Sequence, residues 1–209
     1  MEAFTSLTAV AAPLLRDNID TDAIIPSREM RSVSGQGLAE GLFAGWRYTA
    51  IGGRDPDPDF VLNKPAHAGA RILVTGANVG CGSSREHAVW ALAQYGFRAV
   101  VAPSFNPIFR GNCIANGLVP VTLAADEVRA IAAALETAEQ PVLTVDLEAR
   151  RVALPDGRSW SFTIEPEVRE ALLLGLDPLD QTLRLEPEIQ AFRAAHRADQ
   201  PWIYTPVAR

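Results

Sequence analysis

The chain has 209 residues, 19 Lys+Arg against 25 Asp+Glu for a formal charge of −6, and 48% hydrophobic residues. That apolar content suffices to bury a core and excludes a disordered or fibrous chain. The absence of any basic run excludes a nucleic-acid or anionic-membrane surface, because such binding rests on clustered Lys and Arg.

Only Cys81 and Cys113 are present, too few for a disulfide framework, a four-cysteine zinc site or a self-contained iron–sulfur cluster. Met1–Val10 lacks the positive start and long apolar stretch of a secretion signal, and no apolar run reaches membrane-spanning length. A cytoplasmic location is the expectation.

Residues 5–15 read as a strand that ends at the polar, turn-prone segment Arg16-Asp17-Asn18-Ile19-Asp20-Thr21-Asp22. Asn18-x-Asp20-x-Asp22 has a superficial calcium-loop spacing, but Ala23 replaces the required glycine and Pro26 intrudes. An Asx-rich turn, or a carboxylate that positions an arginine or hydroxyl, is the alternative. Ser27 to Gly53 is rich in Gly, Arg and Ser with scattered aromatics, and Arg54–Asp59 follows as a turn cluster. The stretch reads as a long loop that its aromatics order on contact with a substrate or partner.

The centre is regular. Arg71–Thr75 reads as a buried strand, Gly76–Gly82 as a glycine-rich turn and Ser84–Tyr95 as a helix stopped by Gly96. Arg98–Ala102 and Leu118–Leu123 read as further strands flanking a helix over Asn106–Asn116, and Asp126–Glu139 as another helix. The pattern then changes to a meander over Val142–Leu147, Arg151–Leu154 and Ser159–Ile164, followed by helices over Glu165–Leu174 and Glu188–Ala198. With no linker or repeat, residues 1–209 read as one domain.

The segment Thr75 to His87 sits where α/β sheets place ligands, between a strand's carboxyl end and a helix start. It matches neither common nucleotide loop. Helix-start amides together with Arg85 suit a carboxylate. On spacing alone Ser83-x-x-Glu86 is better accounted for as a capping box, which only satisfies helix-end amides. Taken singly, Cys81, His87, Asn112, Cys113 and Asn116 are each accounted for by packing or helix termination.

Taken together, three segments carry a resemblance: Asp20-Thr21-Asp22-Ala23-Ile24-Ile25-Pro26, Gly80-Cys81-Gly82-Ser83-Ser84-Arg85-Glu86-His87-Ala88, and Ala102-Pro103-Ser104-Phe105 with Asn112. The chain resembles the small subunits of bacterial 3-isopropylmalate dehydratases, in the aconitase superfamily. The likeness extends through Leu42-Phe43-x-x-Trp46-Arg47, Pro58–Asn63 and Gly175-Leu176-Asp177-Pro178 with Thr182-Leu183.

The resemblance implies an α/β fold, an aconitase-like swivelling β/β/α domain with a mixed sheet, flanking helices and a C-terminal β-meander plus helices. It implies a hydro-lyase subunit that isomerises 2-isopropylmalate to 3-isopropylmalate through 2-isopropylmaleate in leucine biosynthesis. A cysteine-rich large subunit, as heterodimer or heterotetramer, would hold a 4Fe-4S cluster, and this chain would bind none.

By the same resemblance Ser83 is the base that removes and returns the carbon-bound proton, activated by helix-start amides and Arg85. Arg85 also binds a substrate carboxylate, Asp22 orients an active-site group, and Ser84, Gly80 and Gly82 line the pocket. Substrate choice falls to the loop at about 27–37. Here Ser27-Arg28-Glu29-Met30-Arg31 stands where hydrophobic residues are frequent, so Arg28 and Arg31 are candidate carboxylate contacts. Homoaconitate, citraconate or dimethylmalate stay open as substrates, as does a non-catalytic carboxylate-binding module.

Overall fold

The computed structural model describes residues 1–30 and 37–204 and separates into two compact units, Met1–Gly175 and Leu176–Arg209. The first unit is built on a seven-stranded sheet in the order β4-β3-β2-β1-β5-β6-β7. These strands are β1 (Ser6–Leu14), β2 (Ile72–Thr75), β3 (Ala99–Ala102), β4 (Val119–Thr122), β5 (Val142–Asp146), β6 (Arg151–Ala153) and β7 (Ser159–Ser161). The mixed sheet with flanking helices and C-terminal meander agrees with the expected fold class.

β1 serves both halves of the sheet with different residues. Ala11–Leu14 pair in parallel with β2, whereas Ser6–Val10 pair antiparallel with β5. β2, β3 and β4 continue in parallel, and β5, β6 and β7 continue antiparallel. The burial pattern follows this division. Residues 11–14 are buried throughout, as expected of a parallel strand covered on both faces, whereas residues 6–10 only partly bury.

Two apolar clusters lie on the sheet. One gathers Leu14, Ile24, Leu42, Phe43, Phe60, Leu92, Phe97 and Phe109; the other gathers Val74, Val101, Val121, Ile131, Leu135, Val145 and Val152. The helices that cover them are α1 (Thr21–Ile24), α2 (Ala44–Arg47), α3 (Glu86–Tyr95), α4 (Pro107–Ala115), α5 (Ala125–Thr137) and α6 (Pro166–Leu174). α4 starts from Asn106, whose side chain accepts from the Ile108 and Phe109 amides, and α3 ends at Gly96 in the left-handed conformation.

One expectation is corrected here. In the stretch after Ser27, Phe43 and Trp46 do not await a ligand to become ordered, because Phe43 is core and Trp46 packs against it, whereas Tyr48 is half-buried and lies outside both clusters. Phe43 and Leu42 are fully buried, and Phe43 stacks on Trp46 at 5.8 Å and packs against Phe60 at 6.0 Å. Short 3-10 turns at Leu38–Gly41, Val61–Asn63 and Pro65–His67 carry this segment over the sheet. Buried His67 faces the Ala11 carbonyl at 2.9 Å, so its Nδ1 carries the proton and donates.

The second unit contains α7 (Pro178–Leu183) and α8 (Glu186–Asp199). Asp177 and Asp180 exchange side-chain to backbone hydrogen bonds at the start of α7. Neither helix buries a residue. Among the described residues, no helix is long and apolar enough to cross a membrane.

Candidate functional site

The site is assembled by two loops that leave the carboxyl ends of neighbouring parallel strands. The first leaves β1 at Arg16; the second is the glycine-rich turn between β2 and α3. They are stitched together before any functional side chain is placed. Asn18 donates its amide to the Ala77 carbonyl, Gly80 to Ile19 and Thr21 to Cys81, at 2.8, 2.7 and 3.0 Å. The Asp17 carboxylate accepts from the Ala77 amide at 2.7 Å. A third segment, Ala102–Phe105, clamps the turn from its far side: the Ser104 hydroxyl accepts from the Asn78 amide and the Ser104 carbonyl from Val79.

Gly80 explains why the turn tolerates no side chain at its centre. Its φ is +74°, and a Cβ there would lie 2.0 Å from the Phe109 ring. Gly80 is therefore buried and its amide is consumed by Ile19, which corrects the expectation that this amide lines the substrate pocket. Gly82, with φ +89° and room for a Cβ only in ordinary contact with Asp20 and Thr21 at 3.4 Å and beyond, is exposed next to Ser83 and Ser84.

The capping box is not formed. α3 begins at Glu86, its N-cap is Arg85 in extended conformation, and no side chain caps it. The Ser83 hydroxyl points instead to Thr21, whose Oγ1 lies 3.3 Å from Ser83 Oγ and 3.0 Å from the Ser83 carbonyl oxygen. The Glu86 carboxylate accepts from the Asn116 amide group, whose oxygen accepts from Trp90, so Glu86 ties α3 to the end of α4.

Asp20 caps α1 by accepting from the Ala23 amide at 2.6 Å, which turns Asp22 toward the second loop. Asp22 forms a hydrogen-bonded ion pair with Arg85 and accepts from the Ser27 hydroxyl. The Arg85 guanidinium holds the Asp22 carboxyl below the usual carboxylate range. The partner of Asp22, which spacing did not reveal, is thus Arg85.

Arg28 is ion-paired within the chain. Its Nε lies 3.4 Å from the Glu29 carboxylate, which also receives Arg54 at 2.6 Å. Two guanidiniums and one largely buried carboxylate make a local charge cluster in which Arg28 is paired with its sequence neighbour. Arg31 lies outside the described residues, as does most of the 27–37 loop.

Of the sequence candidates, Asp22, Ser83, Ser84, Gly82 and Arg85 therefore gather on the two loops, and Gly80 supports them from beneath. Thr21 is the contact within this candidate site that sequence reasoning passed over. Its signal was a hydroxyl residue between two aspartates in a strand-end loop. A cavity of about 810 Å³ lies elsewhere, lined by Leu15, Arg16, Trp46, Tyr48, Lys64 and His67, and none of the site residues lines it. Among the described residues of the site, Asp22, Gly82, Ser83 and Ser84 form an exposed corner.

Iron–sulfur ligation by this chain's described residues does not fit. No group of three His, Cys, Asp or Glu comes together among them, and burial pushes the Cys113 thiol far above its usual range, opposing the thiolate that a metal needs.

Known proteins share this arrangement of chain. A family model described as the aconitase C-terminal domain matches residues 1–126, and a second, LeuD_N, matches residues 129–166. The chain belongs to the family of 3-isopropylmalate dehydratase small subunits. A 3-isopropylmalate dehydratase small subunit of Cupriavidus necator is 57% identical over 98% of this chain and 99% of its own. One from Rhodospirillum centenum is 50% identical over 97% and 98%. The solved structure of 3-isopropylmalate dehydratase from Methanocaldococcus jannaschii matches with a TM-score of 0.64 and 26% identity, covering 90% of this chain and 99% of that one. Within this family the expected swivel-type fold and hydro-lyase class of the sequence analysis both stand.

Proposed function

We propose that the chain is the small subunit of a 3-isopropylmalate dehydratase, which isomerises 2-isopropylmalate to 3-isopropylmalate by removing and returning water through 2-isopropylmaleate in leucine biosynthesis. The observation that carries the reading is end-to-end similarity, at up to 57% identity, to small subunits of that name. Matches spanning 98% of the chain support treating residues 1–209 as one small subunit, both compact units included.

Within it, Ser83 accepts the carbon-bound proton of the substrate, Arg85 pairs with a substrate carboxylate, and Asp22 holds Arg85 in place. Ser84 and the Gly82 amide complete the contact with the acid. A guanidinium fork suits a planar carboxylate, and its second face stays occupied by Asp22. The partner is a cysteine-rich large subunit that holds the 4Fe-4S cluster and faces this corner. The exposure of Ser83 and Ser84 is what half of a shared site requires. Because Arg28 is engaged by Glu29, an extra substrate carboxylate finds less support here than the isopropyl group. As a biosynthetic enzyme subunit it acts in the cytoplasm.

The test is anaerobic mixing of the full chain with a cluster-loaded large subunit, following absorbance of the unsaturated acid from 3-isopropylmalate, with citraconate and homocitrate in parallel. The expected result is preference for isopropylmalate and no turnover by the chain alone. Turnover by the lone chain, or preference for another acid, overturns it. Tight dicarboxylate binding without turnover would identify a binding module instead. Ser83→Ala in the same assembly should lower kcat by about 10²- to 10⁴-fold, the usual contribution of a positioned base.

A further inference from the structure

We infer that Thr21 is a positioning residue whose hydroxyl governs the proton of Ser83, donating to the Ser83 carbonyl when that serine is neutral and to Ser83 Oγ when it is an alkoxide. The inference rests on the reading of Ser83 as the base.

Three polar or charged residues are buried among the described residues: Thr21, His67 and Thr75. His67 faces the Ala11 carbonyl, and Thr75 donates weakly to the Arg16 carbonyl at 3.4 Å, so both serve the backbone. Thr21, 1% exposed, differs in facing two oxygens of one residue at once, the Ser83 carbonyl at 3.0 Å and Ser83 Oγ at 3.3 Å.

A threonine hydroxyl has one proton to give and two lone pairs that accept. While that proton goes to the carbonyl, the 3.3 Å contact is a hydrogen bond only if Ser83 donates its own proton to Thr21. This is the neutral serine, its lone pairs turned outward. An alkoxide has no proton, so the same contact then requires the Thr21 proton to rotate from the carbonyl to Ser83 Oγ. The bond gains charge assistance at the moment the base is needed. When Ser83 takes the substrate proton, the C–H bond breaks, a Ser83 O–H bond forms, and the electron pair stays on the substrate carbon. Thr21 then turns back to the carbonyl. In the rehydration half of the reaction the Ser83 O–H bond breaks, the same proton returns to carbon, and the alkoxide is regenerated for the next turnover.

Only a hydrogen moves in this exchange. The threonine oxygen is held by its stiff β-branched side chain and by its backbone, whose amide donates to Cys81 and whose carbonyl accepts from Ile25, each at 3.0 Å. A donor fixed before the charge develops is the arrangement that stabilises an oxyanion at least reorganisation cost.

The experiment compares Thr21→Val, Thr21→Ser, Ser83→Ala and the Thr21→Val/Ser83→Ala pair, each as the full chain assembled with its large subunit. Thr21→Val should lower kcat about 10- to 100-fold, as expected for loss of a bond to a charged group, with KM within about twofold. Thr21→Ser should restore kcat to within about threefold. In the Ser83→Ala background Thr21→Val should lower the residual rate no further, because the two residues act as one unit. Equal losses in both backgrounds, or wild-type kcat in Thr21→Val, overturn the inference. Full activity of Ser83→Ala overturns the base assignment itself, a separate failure.

Discussion

Two halves of one sheet each carry an arginine–aspartate pair, and the pairs do different work. In the antiparallel half, Arg158 meets Asp156 at 2.6 Å, two residues apart in an exposed tight turn. In the parallel half, Arg85 meets Asp22 across 63 residues of sequence, joining two loops that end neighbouring strands. Both aspartates are lowered below the ordinary carboxylate range by their arginine. The chemistry is the same, but only one pair joins the two loops of the candidate site.

The difference is topological. Antiparallel neighbours need only a short turn, whereas parallel neighbours need a long crossover. That crossover delivers loops, a helix start and a clamp from the next strand to one edge, and the first half of the sheet spends it on the site. The antiparallel half closes the second apolar cluster with Leu143, Val145 and Val152 and bears no site residue.

The sharpest way to break this contrast is to remove each arginine in turn. Arg85→Ala should lower kcat/KM by about 10²-fold or more, as for loss of a charged group that binds the developing transition state. Arg158→Ala should leave kcat/KM unchanged. Steady-state kinetics with the large subunit decides it, and equal effects would dissolve the distinction.

A smaller contrast concerns glycine. Gly80→Ala meets the Phe109 ring and a left-handed backbone, so overpacking and strain together should cost about 3 kcal/mol. At this chain length that is a fall of roughly 6–12 °C in Tm. Gly157→Ala, at φ +93° with nothing within 4 Å, carries the backbone strain alone, about 1–2 kcal/mol. Thermal denaturation of the two variants should rank them in that order, and a reversal would show that the glycine-rich turn repacks freely.

The smallest effect is on pH. Asp22 has a folded-state pKa below its unfolded value, so its contribution is present above about pH 4 and is lost as pH falls through the lower, folded value. Between pH 6 and 9 the pair is already fully formed. Asp22→Asn should therefore lower kcat/KM by a constant factor of about 3 to 10 across that range, parallel to wild type. Curves that converge or cross within it would mean that Asp22 titrates in the catalytic cycle.

Much of this was legible in residue order. Apolar runs such as Ile72–Thr75 and Ala99–Ala102 marked buried strands, and Gly96 and Asn106 marked helix ends, because these signals depend on neighbours a few positions away. The capping box misled for the same reason. Ser83-x-x-Glu86 has the right spacing, yet Thr21, 62 positions earlier, takes the Ser83 hydroxyl, and Asn116, 30 positions later, takes Glu86. The aromatics after Ser27 likewise looked free because their core partners, such as Phe60 for Phe43, come later in the chain. Four-residue helices such as α1 and α2 are too short to show a period.

Residue order by itself determined the alternation of strands and helices, the glycine-rich turn after β2 and the residue types of the candidate site, since local propensity and spacing encode these. Tertiary structure alone decided that Asp22 belongs to Arg85, that Gly80 yields to Phe109 and that Thr21 attends Ser83. Each of those is a contact between segments far apart in sequence, and parallel strand pairing, which no local pattern specifies, is what brings them within hydrogen-bonding distance.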